Sequence, residues 1–281
     1  MITTKLELLV DFGDKPEQAL VNKTVQALKD KEGVKEAVYK DGAIMVESSL
    51  PTAVVVDIAS KVSGRRTVLQ GFGDPSRSAV AMISSQGAAP NIMGVIRFTE
   101  TAHGMLADGT VAGLSGTHGL HVRETGDLSQ GCSSLGPHYN PHGAPHGPPA
   151  APAAARHAGD LGNITADETG TARFTVVDSL LKISDIIGRS IAVTERPDDF
   201  GTGDSASSKI DGNSGPAIAC GIIARSAGIF QNPKRVCACD GVVVWDERDR
   251  PLAGQGRRDK AKPCCQKEKA CCGDSKGGSK I

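Results

Sequence analysis

Leu6, Leu8, Leu9, Val10 and Phe12 give the start of the chain the close apolar spacing of a strand. From Pro16 to Glu32 the spacing becomes helical, with Leu20, Val21, Val25 and Leu28 on one face, Pro16 near the start and Gly33 past the end. Strands are predicted over Val34–Lys40 and Ala43–Ser48, joined by an Asp41-Gly42 turn. A second helix is predicted over Thr52–Val62 and a last strand over Arg66–Gly71. The β-branched residues after Thr52 also admit a strand there. The order β-α-β-β-α-β is that of a ferredoxin-like α+β domain.

From about Ser78 the pattern changes to short alternating runs between turns, with almost no helical period. Strands are predicted over Val80–Ser84, Met93–Thr99, Gly119–Glu124, Ala172–Val177, Ile191–Thr194 and Ile218–Ala224. That spacing predicts an antiparallel sandwich or barrel. Between about Gly126 and Thr169 the chain is dense in Gly, Pro, Ala and His and shows little strand pattern. A loop that long inside a compact domain needs something to clip it. A short strand is predicted over Gly241–Trp245, and the end is rich in Lys, Arg, Gly and Cys with the low apolar content of a disordered segment.

At 281 residues the chain is long for one core. We divide it into a ferredoxin-like domain over 1–73, a β-barrel over 74–225 and a tail over 226–281. Lys plus Arg equals Asp plus Glu at 32 each, which removes the electrostatic case for nucleic acid or an anionic membrane. Aromatic residues make up only 3%, too few for a base-stacking surface. Met1–Phe12 lacks a signal-peptide core, and no stretch approaches the ~20 apolar residues of a membrane span. A cytoplasmic location and a protein or small-ion partner are therefore expected.

The loop itself offers the clip. His138, His146, His157 and Asp160 supply three imidazoles and one carboxylate, a complete tetrahedral zinc shell with no open position. Such a shell is structural. Solvated histidines are the plainer reading of a Pro- and Gly-rich loop, and we keep it for His142.

Several runs then carry a resemblance: Gly119-Leu120-His121-Val122, Gly131-Cys132-Ser133, Gly136-Pro137-His138-Tyr139-Asn140-Pro141, Arg156-His157-Ala158-Gly159-Asp160-Leu161-Gly162-Asn163 and Ala219-Cys220-Gly221. Together they resemble copper,zinc superoxide dismutase from roughly Ser78 to Arg225. The resemblance implies a Greek-key β-barrel, zinc at the four residues named, a disulfide between Cys132 and Cys220, and Asp198 as a carboxylate tying the metal loops together. It also locates departures. Of the four copper-binding histidines of that family, His121 and His138 match, while Arg123 and Thr194 stand in the other two places. The family's superoxide-attracting arginine falls at Ala217. Arginine has no lone pair to give a metal. Dismutase activity is not expected.

Ile186-Ile187-Gly188-Arg189 resembles the dismutase dimer interface. The run Ser226-Ala227-Gly228-Ile229-Phe230-Gln231-Asn232-Pro233-Lys234, followed by Cys237-Ala238-Cys239-Asp240-Gly241 and Trp245, resembles the tail of copper chaperones for superoxide dismutase. In those chaperones a Met-x-Cys-x-x-Cys loop lies in the first domain; here Phe12-Gly13-Asp14-Lys15-Pro16-Glu17 replaces it and offers no thiolate. Cys237 and Cys239, at i and i+2, can clamp one Cu(I) or close a small strained disulfide prone to exchange. Cys264, Cys265, Cys271 and Cys272 lie among Lys262, Lys267 and Lys269, whose charge favours thiolates; copper gathering and nonspecific scavenging both fit.

The expectation is a non-enzymatic copper chaperone, with zinc as structural metal and Cu(I) as cargo. It pairs with copper,zinc superoxide dismutase as a heterodimer, with a homodimer also open, delivers Cu(I) from Cys237 and Cys239, and promotes the target's internal disulfide. An atypical dismutase and a Cys-rich copper-storage protein are the alternatives.

Overall fold

β1 (Thr4–Val10) sends Leu6 and Leu8 into a core built with α1 (Gln18–Lys29), β2 (Val34–Lys40), β3 (Ala43–Ser48), α2 (Thr52–Ser63) and β4 (Thr67–Phe72). The computed structural model describes residues 2–85, 91–232 and 245. The four strands form an antiparallel sheet in the order β2-β3-β1-β4. Leu28 of α1 and Val55 and Ala59 of α2 pack on its Leu6, Leu8, Ile44 and Val46. Thr52–Ser63 is a helix despite its β-branched run, because Val55 and Ala59 recur on the buried face and Gly64 ends the helix in a left-handed conformation.

A second sheet follows: β5 (Ser78–Ser85), β6 (Met93–Thr101), β7 (Gly104–Ala112), β8 (Thr117–Arg123), β9 (Ser129–Cys132), β10 (Asp160–Thr165) and β11 (Thr171–Asp178). After the short α3 (Ile183–Ile186) come β12 (Ser190–Thr194), α4 (Ala206–Asp211) and β13 (Ala217–Arg225). Eight strands, all but β9, pair antiparallel in the order β10-β8-β12-β13-β5-β6-β7-β11. The two outer strands, β10 and β11, lie against each other, so the sheet curls into a barrel-like form around Ile83, Ile96, Phe98, Met105, Leu120, Ile191 and Ile223.

Alternation did not predict β7, β9 or β10. On β7, Met105, Ala107 and Val111 face the barrel core while Leu106 joins the core of the first domain and Asp108 is buried too. Both faces of the strand are covered, so the sequence lacks the polar half of the alternation. β10 lies in the stretch read as loop, where Gly162 and Asn163 hide the strand signal.

The same face of β7 joins the two halves. Pro51 precedes α2 and has no capping side chain; the Asp108 carboxylate caps instead, accepting from the Thr52 amide at 2.8 Å. Burial pushes the Asp108 carboxyl up, opposed by the Thr52 hydrogen bonds and by the Arg97 charge on the neighbouring strand. Asp108→Ala is expected to lower stability by about 1–2 kcal/mol in urea unfolding, the cost of losing a cap and leaving a buried amide unpaired. An unchanged midpoint would show that the first turn of α2 does not rely on this group.

Candidate metal centre

The long segment between β9 and β10 is folded back onto one residue of β8. The Val122 carbonyl accepts from the Tyr139 amide at 2.9 Å, its amide donates to the Gly159 carbonyl at 2.9 Å, and the Gly159 amide donates to the Tyr139 carbonyl at 2.8 Å. A side chain at position 159 would sit 2.3 Å from the Val122 carbonyl oxygen, so only glycine permits this closure. Residues 138 and 160 are thereby brought together. Asn140 folds the next turn, its amide donating to the Ala144 carbonyl at 2.8 Å and its oxygen accepting from the Ala144 amide at 3.0 Å. That turn delivers His146.

His138, His146, His157 and Asp160 converge, all buried, with their ligand atoms within 4.8 Å of one another. Asp160 Oδ1 lies 2.8 Å from His138 Nδ1 and 3.4 Å from His157 Nδ1, and Oδ2 lies 3.0 Å from His146 Nδ1. Hydrogen bonds account for only part of this cluster, among them that of His138 Nδ1 to Asp160. His146 Nδ1 and His157 Nδ1 make no hydrogen bond of acceptable geometry although both are buried. Three inward-facing nitrogens around one carboxylate form a donor set able to hold a metal ion.

Two buried carboxylates set the charge balance of the cluster. Asp198 accepts from His121 Nε2 at 2.9 Å and from His146 Nε2 at 2.8 Å, so His146 stands between two buried carboxylates. Burial works against a charge on its ring, yet Asp160 and Asp198 outweigh that and hold His146 up at about 9. Burial likewise raises the Asp160 carboxyl, and its three imidazole partners reverse this, holding it far below the usual carboxylate range. Asn163 fixes Asp198 in turn, accepting from its amide at 2.7 Å and donating to its carbonyl at 2.9 Å.

The neighbouring positions differ in kind. His121 and His138 stack with ring centroids 3.9 Å apart, and His121 Nδ1 and His138 Nε2 are buried without a hydrogen-bond partner. Burial, the nearby His121 and the Arg123 charge push His138 down to about 3. Arg123 Nε donates to the Gly136 carbonyl at 3.0 Å, Thr194 Oγ1 donates to the Arg196 carbonyl at 3.1 Å, and Ala217 pairs with Thr194 across β12 and β13. Two imidazoles beside a guanidinium do not make a four-imidazole copper site.

Cys132 and Cys220 are joined by a disulfide across 88 residues, packed with Leu135 and Ala192. Cys237 and Cys239, the terminal cysteines and the predicted strand over Gly241–Trp245 lie outside the described residues except for Trp245 itself.

Two supporting residues have roles that sequence reasoning did not assign. Arg156 is fully buried; its guanidinium donates to the His157 and Asp160 carbonyls at 3.2 Å each and pairs with Asp178. An arginine directly before a ligand histidine was the available signal. His118, also buried, places Nδ1 2.9 Å from the Thr194 carbonyl and Nε2 3.1 Å from the Ser115 carbonyl. Its signal was slight, one more histidine in a strand already holding His121.

Comparison with known proteins fits this geometry. The family model for copper/zinc superoxide dismutase matches residues 92–223. A solved structure of the clock protein EA4 is similar with a TM-score of 0.50 and 40% identity, covering 56% of this chain and 98% of that one. Over greater lengths the similarity is to proteins named copper chaperone for superoxide dismutase. That of Rattus norvegicus is 45% identical over 254 residues, covering 88% of this chain and 90% of the relative. That of Homo sapiens is 44% identical over 246 residues, covering 86% and 88%. A chloroplastic/cytosolic one from Arabidopsis thaliana is 31% identical over 245 residues, covering 85% and 70%. With nine-tenths of such relatives matched from the first domain through the barrel, the chain belongs to the family of copper chaperones for superoxide dismutase.

Proposed function

We propose that this chain delivers Cu(I) to copper,zinc superoxide dismutase, pairing with it through the barrel and handing over the ion from Cys237 and Cys239. The carrying observation is the contrast within one barrel: the zinc donor set is complete, while Arg123 and Thr194 stand where copper ligands would be needed. A barrel of this kind keeps a dismutase subunit's shape without its chemistry. Under this reading 1–73 is a ferredoxin-like domain, 74–225 a Greek-key dismutase-like barrel, and 226–281 the tail that carries the thiols.

His138, His146, His157 and Asp160 would hold zinc, which when bound supplies a fixed cross-link for the loop and no catalysis. Arg156 and Asp198 keep those donors oriented. The docking surface is apolar. Ile222 and Met82, both exposed, lie on the paired strands β13 and β5; Gly188 follows Ile187 nearby, its amide bonded to the Ile223 carbonyl at 2.9 Å. The same face could pair two copies of this chain. Thiol–disulfide exchange completes the reading: once the ion has left and an oxidant such as dioxygen has taken two electrons from the pair, the Cys237–Cys239 disulfide accepts two electrons from a target dithiol, leaving both tail thiols reduced and the target joined.

Three outcomes test this. Purified protein is expected to carry about one zinc per chain, and His146→Ala to lower stability by about 3 kcal/mol, roughly 10 °C in melting temperature. Melting that is indifferent to a strong chelator would remove zinc from the scheme. Gly188→Arg is expected to abolish association with disulfide-reduced, copper-free dismutase in size-exclusion chromatography, because it sets a charge in an apolar contact; an unaltered complex would move the interface elsewhere. Cys237→Ser with Cys239→Ser is expected to abolish dismutase activation while zinc content and heterodimer formation persist. If that variant activates normally and removal of Cys264, Cys265, Cys271 and Cys272 does not, the terminal pairs carry the copper.

A further inference from the structure

A first domain without thiols needs another reason to be present, and its β4 edge shows one. Residues Ser226–Asn232, which follow the last barrel strand, run back along that edge. The Phe72 amide donates to the Ala227 carbonyl at 3.4 Å and the Ile229 amide to the Gly73 carbonyl at 3.1 Å. Gln70 Nε2 donates to the Asn232 carbonyl at 2.5 Å, and Asn232 Nδ2 returns a bond to the Gln70 carbonyl at 3.3 Å. Glu7 of β1, a buried carboxylate, accepts from the Phe230 amide at 2.7 Å.

Two features mark this contact as built. A side chain at Gly71 would meet the Gly228 carbonyl and Ile229 Cα at 2.7 Å, and one at Gly228 would meet the Asp74 backbone at 2.7 Å. The chains approach closely because both positions are glycine. Phe230 adopts φ +62°, a left-handed conformation costly for an aromatic residue, and the Glu7 carboxylate holds its amide there. Ile229 is buried against the platform while the Phe230 side chain is exposed.

We infer that the first domain serves as a clamp for the stem of the thiol-bearing arm, with Glu7, Gln70 and Gly71 as positioning residues for copper transfer. The inference rests on the reading that Cys237 and Cys239 carry the ion. Cys237 follows Asn232 by five residues and Arg225 by twelve. Releasing the stem moves the last held residue back in that ratio, and an effective concentration that falls as the −3/2 power of tether length would drop roughly fourfold. The clamp thus raises the local concentration of the pair at the docked partner without touching copper.

The test uses full-length protein in three forms, Glu7→Ala, Glu7→Gln and Asn232→Ala. Hydrogen exchange at the Ile229 and Phe230 amides is expected to be protected in the unmodified chain and freed in Glu7→Ala, with Glu7→Gln, which keeps an acceptor oxygen, restoring protection. Dismutase activation at subsaturating target is expected to fall roughly fourfold in Glu7→Ala and Asn232→Ala at unchanged zinc content and heterodimer affinity. Asn232→Ala changes only the stem, so it decides the matter if Glu7→Ala fails to fold. Free exchange at both amides in the unmodified protein overturns the clamp. Stem release with unchanged activation overturns the positioning role while an inactive Cys237→Ser, Cys239→Ser variant leaves the transfer reading standing; activity in that double variant sinks the transfer reading while the exchange data still judge the clamp.

Discussion

The carboxylate of Asp160 is the constraint around which the barrel's long segment is organised. It lies at the start of β10, so its position is fixed by pairing with β8 through His121. Its oxygens face His138, His146 and His157, and Oδ2 also accepts from the His157 amide at 2.9 Å. One anion therefore gathers groups from across a segment too poor in apolar residues to collapse by itself. Left alone, a buried carboxylate is costly; positive charge beside it converts the cost to attraction.

Arg123 and Thr194, which the resemblance puts at copper-ligand positions, are each satisfied by a backbone carbonyl. Arg123 ends β8, and its guanidinium donates to the Gly136 carbonyl, holding the turn that leads into His138. Thr194 closes β12 with a hydroxyl bond to the Arg196 carbonyl. The first bond ties β8 to the loop, and the second is local to the turn after β12. Two imidazoles remain there, too few for a four-imidazole copper site.

Much of this could be read from the residues. The β-α-β-β-α-β order followed from period and turn signals because the first sheet buries one face under its helices. The four donors were legible because a loop of Gly, Pro and Ala must be held by something other than packing. What stayed hidden did so for physical reasons. β7 is buried on both sides, so its alternation is absent. β10 is held by Asp160 and Asn163, polar residues that no strand propensity favours. Arg156 works through backbone carbonyls, so its place beside a ligand histidine was the one trace it left in sequence. The clamp on Phe230 joins residues 223 positions apart, beyond the reach of local rules.

The covered face of β7 also limits how this protein can be taken apart. Leu106 belongs to the core of the first domain, and Asp108 is buried where that domain's second helix begins. A chain started at the barrel would bare an apolar side chain and an uncapped buried acid side by side on an otherwise regular sheet. Such a fragment would carry a sticky strip that the whole protein never presents, and it would lose the platform for its own arm. The first domain therefore acts as a permanent lining of one barrel wall, which leaves the exposed Met82 of β5 and Ile222 of β13, further round the sheet, open to visitors.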